Sequence, residues 1–399
     1  MAHLTIDHTG TGTGTVVGPN GFTCTTGTCS LAVPPGTSVT LRGLAAANNW
    51  LSGWTGPCGG NFECTFDASA DATILAEFGP TPNRVFVTST TTDGNIGSVA
   101  AADSICAARA TAAGLQGNFV AFLSSSTSNA TSRLTSSRGW VRTDGAPFAD
   151  APTAFSNGNI VFPPRLDEYG NDLGSVLVFT GTNRGAIANT CSDWTDNSGT
   201  GSAGGTYNQY AASSIASEDV ACSNVAHLMC VETGRVQAVQ IHPDTGKLAF
   251  ASVTKWVPGG GRASADAVCA GDATTAGLAG TFLAAVATTS ETIASRFSAN
   301  TIYRRVDGVR LLRTAGMFAA DWLDAPPELD AYGNLVEDDV WTGATTFAAL
   351  PAAGDNCSDW TDGSSASDGY MQFTTRTQLS TPEKTDLCSS NVELLCLEQ

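Results

Sequence analysis

Twelve cysteines, a duplicated Cys-Ser-Asp-Trp-Thr-Asp segment and a scatter of loop-type carboxylates are the residues here that could do chemistry. Zinc would call for paired Cys-x-x-Cys or His-x-x-x-His spacings. None occurs, and His3, His8, His227 and His242 do not cluster with the cysteines. A catalytic thiol needs one cysteine and a partner histidine, which twelve cysteines do not suggest. Disulfides are the economical reading, and they imply an oxidising compartment outside the cytosol. Calcium is the metal these acids could hold, because it takes six to eight oxygens from loop carboxylates, amides and carbonyls. One set is Asp167, Asn171, Asp193 and Asp196, and the other is Asp330, Asn334, Asp359 and Asp362. The plainer reading of both sets is Asx-turns and helix caps in loop-rich structure. Trp194 and Trp360 follow the duplicated cysteine and could stack on a sugar or anchor a protein. A tryptophan beside a disulfide is more commonly core. Arg304, Arg305, Arg310 and Arg313 form a basic cluster that could hold an acidic ligand such as a sulfated glycan, or could be a solvated face. No Gly-x-Ser-x-Gly elbow, phosphate loop or His–carboxylate pairing stands beside a credible nucleophile, so no enzyme is expected.

The elements that must position these residues are set by a repeat. Cys106, Cys191, Cys222 and Cys230 are spaced by 85, 31 and 8 residues, and Cys269, Cys357, Cys388 and Cys396 by 88, 31 and 8. Flanking sequence agrees at an offset of 163: Ala102–Cys106 falls on Ala265–Cys269, Arg133 on Arg296, and Asp167–Asn171 on Asp330–Asn334. Two related domains, 84–233 and 236–399, are expected, and their period is too long for a solenoid. Each opens with a strand, as at Arg84–Val87, followed by an Ala-rich helix near Val99–Ala113 or Ala263–Ala276. A long irregular middle follows, and short strands near the last cysteines close the domain. The expected fold class is α+β. Three disulfide connectivities are open per repeat. The nested one, Cys106–Cys230 with Cys191–Cys222 and Cys269–Cys396 with Cys357–Cys388, is expected because helix and last strand must close the domain.

Residues 1–80 read as a small all-β domain, with short alternating strands and two cysteine pairs of their own, Cys24–Cys29 and Cys58–Cys64. Gly79–Asn83 reads as a stiff linker. A hairpin is expected across Val236–Ile241 and Leu248–Ser252. No stretch reaches the ~20 apolar residues of a membrane helix. The start, Met1-Ala-His-Leu-Thr-Ile, lacks the features of a secretory signal, so an exported form is expected to have lost one. Net charge is −18, which disfavours nucleic acid.

The cysteine layout, the Ala-Asp-x-x-Cys helix, Arg84–Ser89, Val340-Trp341-Thr342-Gly343 and the Cys-Ser-Asp-Trp-Thr-Asp segments together resemble C-type-lectin-like domains. They resemble most closely the endostatin-like surface proteins of leptospiral bacteria. Residues 1–80 look like small β-repeats of bacterial surface proteins, carried by Ser52–Cys58 and Ala76-Glu77-Phe78. The resemblance implies two tandem lectin-like domains after a small β-domain, exposure at the cell surface or in the medium, and ligand binding in general. The family's sugar-and-calcium site lacks its loop tripeptide in both repeats. Asp219 alone falls on the position of its second motif's aspartate, where the second repeat has Thr385. The function expected is an extracellular binding or adhesion protein for a protein or glycan. The alternative is a self-associating surface or appendage subunit.

Overall fold

The computed structural model describes residues 1–157, 160–183, 186–206, 218–299, 301–312, 316–320, 322–374, 377 and 385–399. Contacts divide the chain into two compact units, Met1–Pro243 and Asp244–Gln399.

The first unit begins with eight strands in two four-stranded sheets. Strands β1 (Ala2–Thr9), β4 (Thr28–Val33), β6 (Asn49–Thr55) and β8 (Ala72–Pro80) form one sheet in the order β4-β1-β8-β6. Strands β2 (Gly14–Val17), β3 (Thr23–Cys24), β5 (Thr37–Ala45) and β7 (Cys64–Ala68) form the other, ordered β3-β2-β5-β7. Period-two alternation explains the faces: Ala2, Leu4 and Ile6 of β1 point inward, and His3, Thr5 and Asp7 between them do not. Val16, Val39, Leu41, Trp54, Ile74 and Phe78 complete this core.

In the first repeat the terminal strand His227–Thr233 is central. It pairs antiparallel with Asn83–Val87 and with Asn118–Ala121, so Cys230 lies opposite both Phe86 and Ala121. Its first residues run parallel to Leu177–Phe179, which continues the sheet through Thr200–Gly205 to Glu218–Ala221. Helix α1 (Val99–Ala112), capped by Ser98, buries Ala102, Cys106 and Ala110 against this sheet. The second unit repeats the plan by itself. Glu393–Glu398 pairs with Lys247–Ala251 and Phe282–Ala284, placing Cys396 opposite Phe250 and Ala284. Helix α2 (Arg262–Thr275) buries Ala265, Cys269 and Ala273.

One clamp fixes each helix to its sheet. Asp103 Oδ1 accepts from Ala121 N at 2.9 Å, and Arg133 donates to Ala121 O at 2.7 Å while pairing with Asp103. In the second unit Asp266 accepts from Ala284 N at 2.9 Å, and Arg296 donates to Ala284 O at 2.6 Å and pairs with Asp266 at 2.7 Å. The aspartate of each Ala-Asp-x-x-Cys helix is thus a packing residue.

The α+β expectation is overturned. Strand makes up 35% and helix 14%, spread over several sheets, so the fold is β-rich. The middles taken as irregular contain strands of two to six residues, most of which extend the sheet around the terminal strand and all of which are too short to show periodicity. The hairpin expected over Val236–Ile241 is also absent. That segment has no strand; Val239 N donates to Asp150 Oδ1 at 2.8 Å, and its side chain packs with Trp50 and Val141. Contacts therefore place the boundary at Pro243 rather than at 233–236. Nor is Asn83 linker. It is fully buried, its Nδ2 donating to the carbonyls of Arg138 (2.9 Å) and Arg235 (2.9 Å) and its Oδ1 accepting from Arg235 N at 3.0 Å.

All twelve cysteines are paired: Cys24–Cys29, Cys58–Cys64, and in each repeat an outer and an inner bridge, Cys106–Cys230 around Cys191–Cys222 and Cys269–Cys396 around Cys357–Cys388. The outer bridges close separations of 124 and 127 residues, each stabilising by about 5 kcal/mol in the chain-entropy model. Six disulfides are consistent with a secreted or extracellular protein. Among the described residues no helix is long and apolar enough to cross a membrane.

Candidate ligand-binding loops

The inner disulfide of each repeat opens on an unusual backbone. Cys191, Ser192, Asp193 and Trp194 have φ of 50°, 53°, 56° and 68°; Cys357, Ser358, Asp359 and Trp360 have 50°, 53°, 54° and 69°. These are left-handed helical turns built without glycine. Each left-handed residue costs roughly 1–2 kcal/mol, so a turn stores about 4–8 kcal/mol. Trp194 N donates to Thr190 O and Trp360 N to Asn356 O, both at 2.8 Å, which closes the turn. The inner bridge spans 31 residues and stabilises by about 4 kcal/mol.

Both tryptophans are wholly enclosed, so neither presents a face to a ligand, and the stacking role is corrected. Burial of the indole works against the strain. Nε1 of Trp194 donates to Ser124 O at 2.8 Å, and Nε1 of Trp360 to Ala287 O at 2.7 Å. Gly181 and Gly343 lie under the indoles at φ +62° and +70°; a Cβ there would sit 2.9 Å and 2.7 Å from the rings.

The carboxylates proposed for calcium are engaged by backbone and side-chain donors of the protein. Asp167 Oδ1 accepts from Tyr169 N and Asn171 N at 2.8 Å each, and its Oδ2 from Asn171 Nδ2 at 3.0 Å. Asp330 does the same for Tyr332 N (2.8 Å), Asn334 N (2.9 Å) and Asn334 Nδ2 (3.0 Å). Asp193 accepts from Ser126 N and Oγ, which hold its carboxyl below the usual range. Asp359 accepts from Thr289 N and Oγ1 at 2.7 Å; burial raises its pKa, but these bonds leave it below the ordinary value. Asp196 and Asp362 are lowered likewise, by Ser198 and by Ser367 with Ser364. Among the described residues no group of three acids, histidines or cysteines converges on a metal position. The four-residue calcium sets are therefore not brought together: Asp167, Asp196, Asp330 and Asp362 hold their own turns, and Asp193 and Asp359 tie theirs to Ser126 and Thr289, 67 and 70 residues away.

Asp219, on the strand Glu218–Ala221, is exposed and accepts from Ser202 Oγ across the ladder at 2.8 Å. The basic cluster also dissolves. Arg305 is buried against Asp307 (2.7 Å) and Glu328 (2.8 Å), and Arg310 forks onto Asp244 at 2.5 and 2.8 Å. Half-buried Arg304 donates to Gly246 O at 3.3 Å. Arg313 lies outside the described residues. Burial pushes Glu328 up to about 8 against the pull of Arg305.

Each unit also contains a hollow lined by described residues. An open depression of about 360 Å³ in the second unit lies beside the left-handed turn, lined by Arg262, Asp266, Thr288, Ser290, Glu291 and Asp359, with Arg262 paired to Glu291. A smaller crevice of about 200 Å³ in the first unit is lined by Trp50, Ser52, Glu77, Gln237, Gln240 and His242 among others. His242 Nε2 stands 3.5 Å from Glu77 Oε2 there.

Sequence reasoning missed the role of the left-handed turns. The only signal was that Cys-Ser-Asp-Trp recurs intact where the surrounding loops diverge. It also missed the exchange behind Glu168 and Ala331. In the first repeat Glu168, paired with Arg109, accepts from Ser89 N and Oγ; in the second Asp272 on α2 accepts from Val253 N, Thr254 N and Thr254 Oγ1. The strand end needs one buried carboxylate, which comes from the loop in one copy and from the helix in the other. No protein-family model matches the chain, and no curated protein matches it.

Proposed function

We propose that the chain is an extracellular recognition protein that binds a protein or glycan through surface loops of its two repeats, without calcium and without a catalytic step. The observation that carries this reading is the left-handed turn, stored twice at several kcal/mol beneath a loop surface. Strain of that kind persists where surrounding structure over-determines it, and it clusters at ligand clamps and active sites. Each turn is held from below by a buried indole and from the side by a disulfide, and its aspartate bonds Ser126 or Thr289, so the loop backbone is fixed while exposed side chains such as Thr127 and Ser290 stay available. Loops on a rigid scaffold suit recognition. The engagement of the aspartates supports calcium independence. The outer helix-to-terminal-strand bridge and the inner loop bridge support the likeness to C-type-lectin-like domains, and with it a place at the cell surface.

The test is a binding array of glycans and extracellular proteins, read with and without EDTA. Specific signal that survives EDTA is expected. EDTA-sensitive binding would remove the calcium-free mode, and turnover on a broad substrate panel with no specific ligand would replace the reading with an enzyme.

A further inference from the structure

Aromatic side chains in this protein are almost entirely inside. Among the described residues, the exposed Phe, Trp or Tyr side chains are Tyr169 and Tyr332, each 55% exposed. They occupy the same position of the two repeats, at the offset of 163. Each stands at the tip of the same turn. Asp167 and Asp330 bond to the backbone N–H groups of Tyr169 and Tyr332 themselves, and Gly170 and Gly333 donate back to the aspartate carbonyls at 3.0 Å. Gly170 and Gly333 hold φ of +86° and +83°. Among the described residues neither phenol hydroxyl has a hydrogen-bond partner.

Folding gives no reason for this. An exposed tyrosine contributes little burial, and the turn is held by the aspartate, asparagine and glycine rather than by the ring. The floor beneath the tips has meanwhile changed. Arg109 lies 5.9 Å from the Tyr169 ring, whereas its counterpart is Asp272; Glu168 has become Ala331 and Asp172 has become Leu335. The turn and its ring keep their place, and the ring its exposure, while the floor changes.

We propose that Tyr169 and Tyr332 are equivalent anchors, one in each repeat, each inserting into a recess on a basic protein partner. This rests on the recognition reading above and names its partner class. A rigid tyrosine with two rotatable bonds is a low-entropy contact of the kind that dominates interfaces. Neither tyrosine lines either hollow described above, and small ligands such as sugars are taken by concave sites, so the recess belongs to the partner. With 37 acidic against 19 basic residues, the chain steers toward positive charge.

The probe is a phage-displayed library of disulfide-cyclised peptides selected against the full chain, with Y169A, Y332A, the double variant and L44A as targets for comparison. Leu44, exposed on β5, controls for nonspecific apolar loss. Expected are Lys- or Arg-bearing peptides that weaken with salt, lose roughly thirtyfold in affinity on Tyr→Ala, and are unaffected by L44A. Equal affinity for wild type and the double variant overturns the anchors while leaving recognition standing. Enrichment of nothing overturns both. Tyrosine-dependent binding of free oligosaccharides, or tyrosine-dependent self-association in sedimentation, overturns the partner class. Unchanged unfolding midpoints for the variants keep any loss attributable to contact.

Discussion

Trp360 Nε1 donates to the carbonyl oxygen of Ala287 at 2.7 Å, and the same bond joins Trp194 to Ser124 at 2.8 Å. In both repeats a fully buried indole thus ties a left-handed turn to the loop that follows the helix-side strand. That bond turns a costly backbone into a fixed one.

Replacing Trp360 by Phe keeps much of the volume but strands the Ala287 carbonyl. A loss of about 1–3 kcal/mol is expected, and Trp360→Ala should cost about 3–5 kcal/mol. Chemical denaturation followed by circular dichroism measures both. A change under a few tenths of a kcal/mol for the alanine variant would show that the indole is not holding the turn.

The strain has its own signature. Ser192 is exposed at φ 53°, where glycine is at ease and a β-branched residue is not. Ser192→Gly is expected to be neutral or to stabilise by up to about 1 kcal/mol, and Ser192→Val to destabilise by at least that much. Equal stabilities for the two variants in urea unfolding would contradict a left-handed turn.

Glu328 supplies a pH dependence. Its folded pKa is pushed up to about 8 from 4.5, chiefly by burial, so the folded state holds the proton more tightly than the unfolded chain. Its contribution to stability is therefore complete below pH ~4.5 and is lost as pH rises through about 8. Glu328→Gln, which cannot ionise, should flatten the decline in stability between pH 5 and pH 9. An unchanged slope would show that Glu328 does not titrate in that window.

Calcium should be thermodynamically silent. A ligand that binds only the folded state raises the unfolding midpoint with concentration. Thermal unfolding in millimolar calcium and in EDTA is expected to give the same midpoint. A rise that saturates with added calcium would contradict the calcium-free reading.

What the sequence made legible was spacing, and what it hid was geometry. The cysteine intervals and the matches around Asp103 and Asp266 show the duplication, because covalent and clamp positions tolerate little drift. The β-rich character was hidden, because strands such as Leu177–Phe179 or Asp339–Trp341 are three residues long and carry no period. They exist by pairing with strands far away in sequence, the terminal strand on one side and Thr200–Gly205 or Asp368–Phe373 on the other. Trp194 could be stacked or buried on sequence evidence alone; its bond to Ser124, 70 residues away, decides for burial. Arg305 and Arg310 read as a basic patch because Glu328 and Asp244 are distant in sequence, yet they lie within 3 Å in space. Tyr169 and Tyr332 stood in plain view in the repeat alignment. Their importance needs exposure, which sequence does not give.

The loops of both repeats are held by sulfur in a nested pattern. Proteolysis of the unreduced protein followed by mass mapping of linked peptides tests it most directly. Cys191–Cys222 inside Cys106–Cys230, Cys357–Cys388 inside Cys269–Cys396, and no free thiol are the expected result. Any crossed pairing within a repeat, or thiols that label without reductant, would contradict it.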